Sequence, residues 1–156
     1  MQRLLIPIAI CFLSSCQYDP YYSRYASAKP TQTLVGTYVP TKETKLLLAG
    51  MYKNVKSSRI DLQSDSSFSV KNIAAIWSPF STADGFESVK GKWSLVKHQE
   101  WWAVDLTVNS VREPNGHWNR KRAGTQIMLV GQNAPYKLHF TIGDPDTGQA
   151  LQYELK

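Results

Sequence analysis

Apolar and polar residues alternate one by one over four stretches of this chain, and that period of two dictates β-structure. Val89, Gly91, Trp93 and Leu95 alternate with Lys90, Lys92 and Ser94. Trp102, Val104, Leu106 and Val108 alternate with Trp101, Ala103, Asp105 and Thr107. Tyr136, Leu138, Phe140 and Ile142 alternate with Lys137, His139 and Thr141, and Leu151, Tyr153 and Leu155 with Gln152 and Glu154. Successive side chains of a strand point to opposite faces, so each stretch has one face for a core and one for water.

The remaining segments extend the pattern. Val35 to Val39 reads as a first strand closed by Pro40. Ile60 and Leu62, then Phe68 and Val70, form a hairpin around the turn Ser64-Asp65-Ser66. Thr125 to Val130 is apolar on both faces, as in a central strand. Thr41 to Asn54 is ambiguous, with Leu46, Leu47, Leu48, Met51 and Tyr52 fitting a short amphipathic helix that Gly50 weakens. Ala74 to Gly85, near Trp77, Phe80 and Phe86, reads as a loop, and Asn109 to Gly124 as a long polar loop. The expectation is an all-β fold, an antiparallel meander of about eight strands closed into a small barrel, since closure removes exposed edges. A two-sheet sandwich is the alternative.

The start of the chain sets a different constraint. Met1, Gln2 and Arg3 precede an apolar run, Leu4 to Leu13, too short to span a bilayer core of about 30 Å as a helix. Leu13-Ser14-Ser15-Cys16 follows, and this ending resembles the lipobox of bacterial lipoproteins. The resemblance implies a signal peptide over 1–15 and acyl chains, palmitate among them, on Cys16 as the first mature residue. Several chains hold a protein stably where one holds only marginally. Gln17 stands where enterobacterial sorting would read Asp as an inner-membrane signal, which implies the outer membrane, facing the periplasm. Cys11 leaves with the signal, so the mature domain has no thiol for a disulfide, a thiolate metal site or a nucleophile.

Residues 16–34 read as a tether, with Pro20 and Pro30 and no strand or helix period, and 35–156 as the β-barrel domain. Tyr18, Tyr21, Tyr22 and Tyr25 suit either the head-group zone or packing on the domain. Formal charge is +6, and +5 once Arg3 is removed with the signal. Outside the cytoplasm such a charge meets anionic lipids and cell-wall polymers rather than nucleic acid.

The turn Ile142-Gly143-Asp144-Pro145-Asp146-Thr147-Gly148 before Leu151-Gln152-Tyr153-Glu154 joins two further motifs, Leu62-Gln63-Ser64-Asp65-Ser66-Ser67-Phe68 and Gly91-Lys92-Trp93. Together they resemble a scattered group of uncharacterised bacterial lipoproteins, and the layout resembles lipocalin-like small barrels, with Gly36-Thr37-Tyr38 in place of the usual first-strand Gly-x-Trp. This implies the fold and no activity. Asp144 and Asp146 do not complete a cation loop, because an EF-hand needs Gly at its sixth position and Gln149 stands there. Turn chemistry explains the pair.

His98, His117 and His139 are dispersed without ligand spacing, and no G-x-S-x-G elbow exists. Neither an enzyme nor a cofactor or metal is expected. The strongest contact candidate is the loop Arg112 to Arg122, where His117, Trp118, Arg120, Lys121 and Arg122 cluster, with Trp101 a second outward aromatic. Against it stands a solvated loop whose Trp folds back on the barrel mouth. The expected function is a lipid-anchored, non-catalytic binding module of the cell envelope, holding an apolar ligand, an anionic lipid or an envelope protein. The alternative is an envelope-anchored inhibitor or immunity-type protein that blocks an enzyme.

Overall fold

The computed structural model describes residues 24–51, 58–74, 86–112, 116–141 and 150–156. Cys16, the signal, most of the loop 74–85 and the 142–148 turn lie outside these residues.

Among the described residues, eight strands run β1 (Gly36–Pro40), β2 (Arg59–Leu62), β3 (Ser67–Ala74), β4 (Phe86–His98), β5 (Trp101–Arg112), β6 (Trp118–Val130), β7 (Lys137–Thr141) and β8 (Ala150–Leu155), with one helix, α1 (Lys42–Met51), after β1. Each strand pairs antiparallel with the next, and β8 returns to β1, closing an eight-stranded barrel. This is the expected meander in its barrel form, with a small lipocalin-like layout.

Alternation places the core. Tyr38, Ile60, Leu62, Phe68, Val70, Val89, Val104, Leu106, Ile127, Leu129, Leu138, Leu151 and Tyr153 are all buried and form one contiguous cluster. Each such aliphatic side chain contributes about 1.5–3 kcal/mol by leaving water, so without a disulfide this cluster carries the fold. Trp93 and Trp102 pack against it but stay half-buried. Trp93 sits where its indole Nε1 donates to the Gln63 carbonyl at 2.9 Å, bracing the β2–β3 turn. Two phenols cross the core and find partners at its margins. Tyr38 Oη donates to the Leu34 carbonyl at 3.0 Å, and Tyr153 Oη shares a 2.7 Å bond with Ser58 Oγ.

The ambiguous segment is helical over Lys42–Met51, and Tyr52 to Asn54 lie outside the described residues. Thr41 caps α1, its Oγ1 accepting from the Thr44 amide at 3.3 Å. Glu43 in the first turn suits the positive end of the helix. Thr44 Oγ1 accepts from the Gln152 amide at 2.7 Å and donates to the Gln152 carbonyl at 3.0 Å, fastening the helix to β8. Leu48 on the same face enters the core.

The long polar loop expected at Asn109–Gly124 is mostly strand. β5 continues to Arg112 and β6 begins at Trp118. Polar residues prevail here because the outward positions meet water, while Val111 keeps the inward face in the core and Ala123 packs against it.

Of the segment read as a tether, the described part lies against the barrel. Tyr25 bridges to Val130. The Ala26 amide donates to the Leu129 carbonyl and the Gly131 amide to the Arg24 carbonyl, while the Trp102 amide donates to the Ala26 carbonyl, each at 2.8 Å. Arg24–Ala26 is thus wedged between the last residues of β6 and the first of β5. Tyr25 and Ala26 are buried, and Pro30 and Leu34 with them. Of the four tyrosines that suit the head-group zone, Tyr25 packs on the domain, and the other three lie outside the described residues.

Register shifts interrupt three adjacent strand pairs: between Val70 and Ile73 in β3–β4, Lys90 and Gly91 in β4–β5, and Val108 and Ser110 in β5–β6. A bulge bends its strand and sharpens the twist. Asn72 takes φ +52° at the first of them. At the second, Gly91 leaves no room for a side chain, since a Cβ would press on the Thr107 carbonyl and stand 2.7 Å from the Phe68 ring.

Gly91→Ala should therefore destabilise the barrel by about 2–3 kcal/mol, seen as a Tm lower by roughly 10 °C. Gly50 in α1 has nothing within 4 Å of a built Cβ. Gly50→Ala should instead raise stability by up to about 1 kcal/mol, and the opposite signs of the two shifts in thermal melts check the account. Burial pushes both the Tyr38 and Tyr153 hydroxyls up to about 12 from 10.0. Below pH 10 folded and unfolded chains both keep these protons; above it the unfolded chain releases them first. Stability should hold to pH 10 and fall on the way to pH 12, by on the order of 1 kcal/mol per pH unit for each phenol. Tm measured against pH should show that fall, and it should be shallower in Tyr153→Phe.

Candidate functional site

The outward side chains of β3 to β6 build the site. Register brings Ser88 of β4, Arg112 of β5 and Trp118 of β6 side by side in one row. The next row holds Ser69 of β3, Lys90 of β4, Ser110 of β5 and Arg120 of β6. The bulge at Asn72 turns the end of β3 beside them. The result is a groove of about 330 Å³ on the outer wall, lined by Ser69, Lys71, Asn72, Ser88, Lys90, Arg112 and Trp118 over the backbone of Val70 and Val89.

Its electrostatics are one-sided. Among the described residues Lys71, Lys90 and Arg112 line the groove and no carboxylate does. Among the described residues, the ion pairs are Arg59–Asp61, Lys92–Asp65 and Lys137–Glu154, and none uses a groove cation. Lys90 instead sends its Nζ across β5 to lie 4.7 Å from the centre of the Trp118 ring, a cation over the electron-rich face. Arg112 Nε donates to the Gly116 carbonyl at 3.3 Å, which fixes its guanidinium against the turn. Trp118 remains 42% exposed. The ring is thus both folded onto the wall and open to a ligand.

The sequence candidates divide. Trp118 and Arg120 come together with Lys90 and Arg112. His117 and Arg122 are exposed on the same strand end, and the Lys121 side chain lies outside the described part. Trp101 is elsewhere. It starts β5 at the opposite end of the barrel and packs edge-on against Tyr25, ring centres 5.8 Å apart. His139, expected outward, does leave the barrel wall but is buried beneath Tyr25, with its ring 5.5 Å away and Nδ1 3.2 Å from Gln152 Nε2. Lys71, Lys90, Ser69 and Ser88 are legible in the sequence only as outward positions. The missing signal is the pairing of β3 and β4 with the strand that carries Trp118.

A second hollow, of about 310 Å³, lies beside the start of α1 and includes Arg24, Glu43, Lys137 and Gln152. Hydrogen bonds from its own backbone and the Thr41 hydroxyl hold the Glu43 carboxyl below its usual range, with Lys137 and Lys42 adding to the effect. This hollow mixes charges of both signs and serves the helix cap. Ser67, through its hydroxyl and amide, likewise holds the Asp65 carboxyl low in the β2–β3 turn. Among the described residues no cluster of three His, Cys, Asp or Glu could hold a metal, and no helix is long and apolar enough to cross a membrane.

Fold and groove together define a class: a small closed meander barrel, lipocalin-like in layout, with a cationic aromatic groove on its outer wall. Comparison with protein-family models, curated proteins and solved structures finds no match.

The wedge at Arg24–Ala26 belongs to the domain, so Ala26→Pro, which deletes the donor to Leu129, should release it. Hydrogen exchange at the Trp102 and Gly131 amides should then rise sharply, while amides of β3 and β4 keep their protection.

Proposed function

We propose that this chain is a lipid-anchored binding module of the cell envelope, non-catalytic, and that its contact surface is the groove beside Trp118. Acyl chains on Cys16 would hold it to the outer membrane, facing the periplasm. One observation carries the reading: the cationic groove and the N-terminal attachment lie at opposite ends of β6. Arg24 is fixed at Gly131, just past the end of that strand, and Trp118 begins it. Thirteen residues of strand span about 40 Å. The eight residues from Cys16 to Arg24 reach at most about 28 Å. An anchor on Cys16 therefore keeps the Gly131 end near the bilayer and presents Trp118 to the space beyond it. The outer groove is favoured over an interior apolar site because the inward positions are taken by the protein's own side chains, Tyr38 and Tyr153 the largest.

Labelling of cells with radioactive palmitate tests the anchor. The native chain should incorporate label and fractionate with membranes. Cys16→Ser should do neither, and an unlabelled native chain in the soluble fraction would end the proposal.

A further inference from the structure

We propose that the groove is a binding site for a phosphorylated sugar, its phosphate taken by Lys71, Lys90 and Arg112 and its ring laid beside Trp118. The inference rests on the reading of this groove as the contact surface and names the ligand chemistry.

Three features lead to it. Among the described residues the lining carries cations and hydrogen-bond donors and no carboxylate: Lys71, Lys90 and Arg112, with the Ser69 and Ser88 hydroxyls between them. Arg120 stands in the same row as Lys90, two strands over, and adds to the same field. Like charges gathered this way repel one another, and a compact dianion relieves that repulsion while accepting several charge-assisted bonds at once. Size narrows the class further. About 330 Å³ is at the small end of ligand sites and suits one charged head group. The polar lining disfavours an acyl chain. Trp118 supplies the third feature. A phosphate gains little from an aromatic neighbour, whereas the apolar face of a sugar ring packs well on one, and the exposed Trp118 indole beside the Lys90 ammonium offers it.

The wall is built for this by the sheet itself. Three bulges in neighbouring strand pairs fall around the groove, and bulges re-aim side chains beside functional sites. Asn72 at the β3–β4 shift and Lys90 beside the β4–β5 shift both line the groove.

The same head group could reach the groove free in solution or at the surface of a glycolipid, and the two sources are separable. The full-length acylated chain in detergent micelles is titrated with glucose 1-phosphate, inorganic phosphate and glucose, following Tm and the Trp118 indole N–H resonance. Glucose 1-phosphate should bind saturably, more tightly than inorganic phosphate, and glucose should not bind. Arg112→Gln and Lys90→Gln should each weaken glucose 1-phosphate by about tenfold. Trp118→Ala should remove the preference for the sugar phosphate over inorganic phosphate while leaving phosphate binding in place. Phosphatidylcholine vesicles carrying a phosphorylated glycolipid form the second arm. Capture that glucose 1-phosphate competes away assigns a lipid source, and binding of soluble ligand without capture assigns a soluble one. Absence of saturable binding, binding indifferent to Arg112→Gln and Lys90→Gln, or equal affinity for the sugar phosphate and inorganic phosphate would overturn the proposal. Palmitate incorporation is read separately, so a failed ligand assay leaves the anchor standing and a failed anchor leaves the ligand assay meaningful.

Discussion

Pairing of β1 with β8 closes the barrel, and the rest of the structure depends on that short ladder. β1 is only five residues long, and its partners are Leu155, Glu154 and Tyr153. Bonds just outside the strands reinforce it: the Lys156 amide donates to the Thr37 carbonyl, the Thr41 amide to the Gln152 carbonyl, and the Thr44 hydroxyl takes both backbone polar groups of Gln152. The helix cap is therefore also a clasp on the closure. Gly36, at φ +152°, has Leu155 packed directly over its Cα, so the two chain segments approach closely at the seam. Without closure β1 and β8 would be bare edges, and a chain with no cysteine after Cys16 has no disulfide to join them.

Much of this is visible in the sequence, because the period of two survives wherever one side of a strand faces the core. Val89 to Leu95, Trp102 to Val108 and Leu151 to Tyr153 fall on the expected faces for that reason, while Leu155 at the strand end is exposed. The double-sided apolarity of Thr125–Val130 has a cause that the pattern could not supply. Met128 and Val130 lie next to the wedge formed by Arg24–Ala26, and Ala103 on the neighbouring strand is buried although it points away from the barrel interior. No periodicity marks three residues that dock by their backbone. Strand ends such as Asn109–Arg112 and Trp118–Gly124 look like loop because most of their residues are polar and only Val111 and Ala123 mark the inward face. The groove is half legible: Trp118, Arg120 and Arg112 stand out by composition, whereas Lys71 and Lys90 join them only through strand pairing, which a linear chain does not announce.

Bulges connect the core to the outer wall. A regular ladder through β3, β4 and β5 would give a smoothly convex surface with evenly spaced side chains. The three register shifts break it at one level, and Gly91 lets the β4 backbone close upon β5 there. Packing demands inside the barrel and side-chain placement outside it are thus met by the same few residues.

The wedge between β5 and β6 also makes the domain's leading segment a mechanical joint. Any tension applied ahead of Arg24 is received by bonds to Leu129 and Gly131 on one side and to Trp102 on the other, with the Gln132 side chain holding the Tyr25 carbonyl as well. Load is shared by two strands of the wall at once, so peeling the segment away requires several attachments to fail together, and drag on a captured ligand would be borne by the sheet rather than by a single thread.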